Sequence, residues 1–303
     1  MANENLAGQT IAGYRLLERV GEGGTAEVYR AEHPEHKLCA IKVLRPRLRG
    51  DPTAVKRFLR EASYGARVEH SGVVRTYDYG EADGLYYLAL EWAGGQSLAD
   101  FLHQNGPVAP APAATIVTQL AAALAAAHQV GIIHRDLKPE NIVYDSKTHV
   151  TKLLDFGIAR DAELPPEERL TRTGFFVGTL QYVAPEALSG ELVDARADIY
   201  SLATIAYYLL TGRYPFSGRS PRELFQQLLQ QDPLPLNQAV VGRRFSPTLE
   251  AVLMRALNRD PAKRQSTVIA FAAEFAAAAE GGDAPQEAGL FGAIRRFMGG
   301  QER

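Results

Sequence analysis

His134-Arg135-Asp136-Leu137-Lys138-Pro139-Glu140-Asn141 places a carboxylate, an ammonium and a carboxamide around one proline. Proline lacks a backbone N–H and restricts the residue before it, so a continuous helix is disfavoured and the stretch reads as a loop. On such a loop Asp136 and Lys138 can point toward one site, and Asn141 offers a neutral oxygen ligand. Asp155-Phe156-Gly157 follows. A carboxylate before a flexible glycine suits magnesium, a hard cation that takes oxygen ligands. Either stretch alone also matches an ordinary polar loop or turn.

Working upstream, residues 14–20 and 26–32 read as strands around Gly21-Glu22-Gly23-Gly24-Thr25-Ala26-Glu27-Val28. Glycines let backbone N–H groups approach phosphate oxygens unobstructed. A glycine turn between strands is common, and no Gly-Lys-Ser/Thr opening a helix makes this a P-loop. Lys42 sits in a third strand, 38–44, where Ile41 and Val43 alternate with Ala40 and Lys42. Glu61 lies on the next helix, 52–67, where Val55, Phe58, Leu59 and Ala62 recur at helical spacing. A Lys42–Glu61 pair could hold the ammonium against phosphates. Residues 73–79 and 85–91 read as a hairpin across 81–84, and Gly94-Gly95 as a joint.

Beyond the joint the expected elements are helices. Ser97 with Asp100 reads as a capping signal, and 112–130 is an alanine-rich helix stopped by Gly131. Further helices are expected at 199–210, 221–231, 248–258 and 267–280.

Composition sets outer limits. The 303 residues include 46% hydrophobic and 22% charged positions, and at about 150 residues per domain they suit two domains or lobes. Lysine and arginine (33) nearly balance aspartate and glutamate (35), so no global basic field points to nucleic acid. Cys39 is the only cysteine, which excludes an intramolecular disulfide framework. The start MANENLAGQT lacks a secretory pattern. No apolar run is read as approaching the roughly 20 residues of a membrane span, and residues 199–210 read as a buried core helix. A soluble, cytoplasmic protein is the expectation.

In this order and context the motifs resemble those of the eukaryotic-type serine/threonine protein kinases, most of all their bacterial members. The matching set is the glycine loop, Ala40-Ile41-Lys42, Glu61, 134–141, 155–157 and Ala184-Pro185-Glu186. The resemblance implies an α+β, two-lobed protein-kinase fold: a small antiparallel β-sheet lobe (11–92) with one key helix, and a larger, mainly helical lobe (93–280). It implies ATP as co-substrate, with Mg2+ or Mn2+, and protein substrates. Gly21, Glu22, Gly23 and Val28 would cover the nucleotide. Ala40 and Val143 would line the adenine pocket, Leu90 would guard its back, and the backbone of Glu91 and Ala93 would bind the adenine edge. Lys42 would contact the α and β phosphates and pair with Glu61; Asn141 and Asp155 would hold the metal. Asp136 would be the catalytic base and Lys138 would stabilise the transferred group. Asp198 would anchor the catalytic loop, and Glu186 with Arg264 would form a structural ion pair.

Lys138-Pro139-Glu140 resembles the serine/threonine rather than the tyrosine class, and Thr179 matches a residue that aligns the acceptor. Thr171 and Thr173 would be activation-loop phosphorylation sites facing Arg135 and Arg160. The chain departs from the family pattern at Ala26, where a third glycine often stands, and at Cys39, where valine is common. Cys39 is expected as a packed apolar side chain. A pseudokinase and a small-molecule phosphotransferase are the competing readings. The retained Lys42, Asp136 and Asp155 argue against the first; the loop and Ala184-Pro185-Glu186 argue against the second. A homodimer that phosphorylates itself is left open. Residues 281–303 read as a linker and a short amphipathic segment, 290–298, with a docked helix or membrane contact as its alternatives.

Overall fold

Alternating apolar residues in the first ninety positions build one antiparallel sheet. The computed structural model describes residues 5–155, 180–189 and 193–281. The strands are β1 (Thr10–Ile11), β2 (Tyr14–Glu22), β3 (Ala26–His33), β4 (Lys37–Leu44), β5 (Thr76–Ala82) and β6 (Leu85–Glu91), in spatial order β1-β2-β3-β4-β6-β5. Alternation along β4 serves two cores. Cys39, Ile41 and Val43 pack with Leu16, Tyr29 and Ala31 on one face. Ala40 packs on the other face with Leu88, Leu90, Phe58 and Ala62. Cys39 is fully buried and burial pushes its thiol up to about 11, as expected of a packed side chain.

Helix α1 (Pro46–Arg49) and α2 (Pro52–Gly65) follow β4. Asp51 caps α2 by accepting the Thr53 N–H at 2.9 Å, and Pro52 occupies its first turn. The helix ends at Gly65 rather than at 67. The β5–β6 hairpin turns on Asp83 and Gly84, both at positive φ, but β5 begins at Thr76 rather than 73. Val73 and Val74 instead reach the second lobe: Val73 bridges Leu153, and the Val74 N–H donates to the Leu153 carbonyl at 2.9 Å.

The joint requires glycine. At Gly95 φ is 102°, and a Cβ there would lie 2.4 Å from the Tyr144 carbonyl oxygen. Beyond it lie β7 (Gln96–Ser97), α3 (Leu98–Asn105), α4 (Pro110–Gln129), β8 (Ile142–Asp145) and β9 (Val150–Leu153), with β7-β8-β9 as a small sheet. Ser97 caps α3 through the Asp100 N–H at 3.0 Å, as the capping pattern predicts. The remaining helices are α5 (Pro185–Ser189), α6 (Arg196–Thr211), α7 (Pro221–Gln230), α8 (Leu236–Ala239), α9 (Pro247–Ala256) and α10 (Val268–Glu280). Helix α6 is buried along nearly its whole length.

One expectation needs correction. Helix α4 has 20 residues, and an 18-residue window within it has a mean hydropathy of 1.4, so by length and composition it could cross a membrane. Ile116, Val117, Leu120 and Leu124 pack into the large-lobe core instead. The alanines interleaved between them raise its hydropathy without forming a visible run of large apolar residues.

Candidate active site

The loop between α4 and β8 carries the decisive side chains. Lys138 Nζ lies 3.0 Å from Asp136 Oδ2. Asn141 Nδ2 donates to the same oxygen at 3.2 Å and to the Asp136 carbonyl at 2.9 Å. Two donors on one carboxylate oxygen fix its direction. Arg135 holds φ at 62°, a left-handed value that costs a non-glycine residue about 1–3 kcal/mol. Asp198, fully buried in α6, supports that turn: it accepts the His134 N–H at 2.9 Å and the Arg135 N–H at 3.0 Å. His128, at the end of α4, lies 2.8 Å from the same carboxylate. Burial pushes the His134 imidazole down, so it is neutral. Its Nδ1 accepts the Asp136 N–H at 3.3 Å, which leaves Nε2–H to donate to the Leu154 carbonyl at 3.3 Å. His134 thereby ties the loop to the segment that leads into Asp155.

The small lobe closes the site from above. Val28 stands opposite both Gly21 and Lys42 in the sheet register, so the three form one row. A Cβ at Gly21 or Gly23 would meet other atoms only at ordinary contact distance. The chain's own packing therefore does not demand glycine there, which fits positions kept clear for a ligand. The Glu22 carboxylate is turned away to Arg45 and to Arg19, so only its backbone can serve the cleft.

Lys42 bridges the lobes. Its Nζ lies 3.6 Å from Glu61 and 2.5 Å from Asp155. Burial alone would push the ammonium's pKa down; the Asp155 and Glu61 carboxylates outweigh it, and the net direction is up. Burial pushes the Glu61 carboxyl up to about 7, the Lys42 charge opposing and the Asp155 charge adding to the rise. One ammonium thus serves two carboxylates.

The oxygen donors fit a hard cation. The Asn141 nitrogen is committed to Asp136, which leaves its amide oxygen for a metal, and the Leu154 N–H donates to the Asn141 carbonyl at 2.8 Å, keeping Asp155 adjacent. Among the described residues no group of three or more His, Cys, Asp or Glu could hold a metal. A cation here would take much of its shell from phosphate and water, as magnesium does.

Leu90 pairs with Ala40 across the sheet and is buried, as a residue at the back of a pocket should be. The Glu91 N–H is committed to the Arg75 carbonyl at 2.8 Å, so Glu91 can offer a ligand only its carbonyl. Ala93 enters no backbone hydrogen bond among the described residues. Val143 is half-buried on β8. The Glu91 carboxylate also pairs with Lys152 of β9. Sequence reasoning missed this contact, as it missed the roles of His128 and His134. The doubled histidines around Gly131 were its one visible signal.

Glu186 and Arg264 form a bidentate pair, 2.7 Å at each oxygen, and both are buried. Arg264 also donates to the carbonyls of Asn258 and Arg196, and its guanidinium lies 5.1 Å from the Tyr200 ring centre. The Arg135 side chain makes no hydrogen bond or ion pair among the described residues, and its buried Nε has no partner. Phe156, Gly157, Arg160, Thr171, Thr173, Thr179 and the segment 290–298 lie outside the described residues.

The family model for the protein kinase domain matches residues 14–276. The chain belongs to the protein kinase family. The kinase domain is 41% identical over 280 residues to the serine/threonine-protein kinase PknB of Mycolicibacterium smegmatis, covering 90% of this chain and 44% of that protein. It is 38% identical to the serine/threonine-protein kinase pkn3 of Myxococcus xanthus, covering 90% of this chain and 51% of that one. The chain thus spans about half the length of these relatives or less. The kinase domain also superposes on the crystal structure of the PknI kinase domain of Mycobacterium tuberculosis with a TM-score of 0.69 and 32% identity, over 90% of this chain and 98% of that one. Its sheet lobe, helical lobe and cleft form a protein kinase fold, with ATP as the family's co-substrate.

Proposed function

We propose that this protein transfers the γ-phosphoryl group of ATP to serine or threonine hydroxyls of protein substrates, through a kinase domain spanning 11–280. One observation carries the reading. An unbroken line of contacts runs from Lys42 to Asp155, through the Leu154–Asn141 backbone bond, to Asn141 and Asp136. It joins a phosphate-binding cation, two oxygen donors and a base across the cleft. A bound divalent ion would neutralise phosphate oxygens. Asp136 orients the acceptor hydroxyl and takes its proton while the hydroxyl oxygen bonds to the γ-phosphorus and the bond to the β-phosphate oxygen breaks. Lys138 balances charge on the group in transit, and Lys42 holds the α and β phosphates. Catalysis of this kind is mostly positioning and charge stabilisation.

Magnesium or manganese fits the donor set, and a cytoplasmic setting fits the buried free thiol of Cys39. The Arg135 Nε, unpartnered among the described residues, supports a further reading, that phosphorylation of Thr171 or Thr173 supplies an anion to this arginine and to Arg160. A homodimer would provide such transfer between copies. The test is phosphorylation with Mg-ATP by wild type beside Asp136→Asn, with sites mapped by mass spectrometry. Transfer to generic proteins or to Thr171 and Thr173 by wild type alone is expected. Nucleotide binding without any transfer would overturn the reading in favour of a pseudokinase.

A further inference from the structure

The glycine turn between β2 and β3 is tied down by the segment that follows β4. The Arg45 N–H donates to the Thr25 carbonyl at 3.0 Å, and the Arg45 guanidinium pairs with the Glu22 carboxylate. Arg47 Nη2 donates to the Gly24 carbonyl at 2.7 Å. Two arginines thus hold three residues of the turn. Within it, the Gly23 N–H donates to the Ala26 carbonyl at 2.8 Å. Ala26 is buried in one cluster with Leu44 of β4, Leu48 of α1 and Phe58 of α2. Where the family pattern often has a third glycine, this chain therefore uses a methyl group to fasten the base of the turn to the core.

These ties leave donors over. The N–H groups of Gly24 and Thr25 make no hydrogen bond among the described residues. A trans peptide unit is planar, and its N–H points opposite to its C=O. Arg47 on the Gly24 carbonyl therefore turns the Thr25 N–H to the face away from the arginine. Free N–H groups on a glycine turn are phosphate donors, and a turn already held in one shape loses less freedom when an anion seats on it.

We propose that Arg45 and Arg47 are positioning residues for the nucleotide. They hold the turn so that its free N–H groups, that of Thr25 above all, meet phosphate oxygens of ATP. They act through the turn and not by touching the nucleotide. The proposal rests on the ATP reading of the cleft.

The test is calorimetric titration of the full chain with two probes: the magnesium complex of a β,γ-imido ATP analogue, and adenosine, which carries no phosphate. A thermal melt confirms that each variant is folded. Arg45→Met/Arg47→Met should bind the analogue about three- to tenfold more weakly than wild type. It should bind adenosine within about twofold of wild type, because the held turn serves the phosphates alone. In steady state, KM for ATP should rise with kcat nearly kept, the mark of lost binding rather than lost chemistry. Glu22→Gln keeps both arginines but releases Arg45, and should also weaken analogue binding. Arg15→Met, which removes an exposed pair with Glu32 on the same lobe, is the control and should change neither probe. Equal losses for the analogue and adenosine would give the arginines a general structural role and overturn the proposal. Unchanged analogue binding in the double variant would overturn it too. So would tighter analogue binding by Glu22→Gln, since a released Arg45 would then be reaching phosphate directly. Wild type that binds neither probe would overturn the ATP reading itself, whereas wild type that binds both beside an unaltered double variant overturns this proposal alone.

Discussion

Replacing Asp198 by asparagine tests how the catalytic loop is held. The carboxylate is fully buried and accepts the N–H groups of His134 and Arg135, with His128 also 2.8 Å away. Asparagine keeps one oxygen and turns an NH2 against at least one N–H donor. A hydrogen bond to a charged acceptor is worth about 1.5–3 kcal/mol, and a buried donor left without a partner costs about 1–3 kcal/mol. The lowest-cost orientation turns the NH2 toward the Arg135 N–H, which also releases a residue held at φ 62°. The expected loss is about 3–5 kcal/mol, in line with breaking other buried charged contacts. At about 2–4 °C per kcal/mol for a domain of this size, Tm should fall by roughly 10 °C in calorimetry. Turnover should fall by about 10²-fold or more, because Asp136 follows directly on the released turn. Asp194→Asn, at an exposed carboxylate, is the control and should change little. A Tm within about 2 °C of wild type, with turnover nearly retained, would refute the anchoring argument.

Three further outcomes follow from the geometry. Arg264→Lys keeps the charge but loses the fork to Glu186 and the carbonyl contacts, so urea unfolding should show a loss of about 3 kcal/mol. Glu61, raised to about 7, binds a proton more readily in the folded than in the unfolded chain, so its stabilising contribution is complete below the ordinary carboxyl range and is lost as pH rises through about 7. Its pairing with Lys42 runs the other way: kcat/KM for ATP should fall as pH drops below about 7, and Glu61→Gln should be slow with that inflection missing. An unchanged inflection in Glu61→Gln would assign it to another group. Gly95→Ala meets both a positive φ and a contact at 2.4 Å with backbone, so it should lower Tm by several degrees; a melt like that of wild type would contradict the close approach.

The site was legible where its chemistry is local along the chain. Asp136, Lys138 and Asn141 lie within one loop, and their mutual contacts follow from that spacing. Lys42 and Glu61 were readable through the family resemblance, since strand alternation and helical spacing alone leave Lys42 as an ordinary strand lysine; the structure sets its ammonium 3.6 Å from Glu61. Among the supports, Asp198 and the Glu186–Arg264 pair were named through the resemblance, whereas the histidine partner of Asp198 was not. His128 and Asp198 are 70 positions apart, and nothing in either neighbourhood marks a pair. Residues 73–75 look like the start of a strand because Val73 and Val74 are apolar, yet they use that character to bridge to β9. Helix α4 was read as an alanine-rich helix but not as one long and apolar enough to span a membrane, because alanines share its contact faces with Ile116, Val117, Leu120 and Leu124. Helix α2 stopped at Gly65, where the low helix propensity of glycine prevailed over a continuing pattern.

The pairing of Glu91 with Lys152 has a mechanical consequence. The main chain passes from small to large lobe beside Gly94 and Gly95, and a chain crossing alone resists no rotation strongly. Glu91 stands just before that crossing, with its N–H held by Arg75 and its carboxylate by Lys152 of β9. With the Val74–Leu153 backbone bond and the Lys42–Asp155 pair also crossing between the lobes, twisting or sliding one lobe against the other stretches at least one polar contact. The backbone of the same residue carries the carbonyl proposed for the adenine edge, so this tie between the lobes sits beside the proposed nucleotide seat.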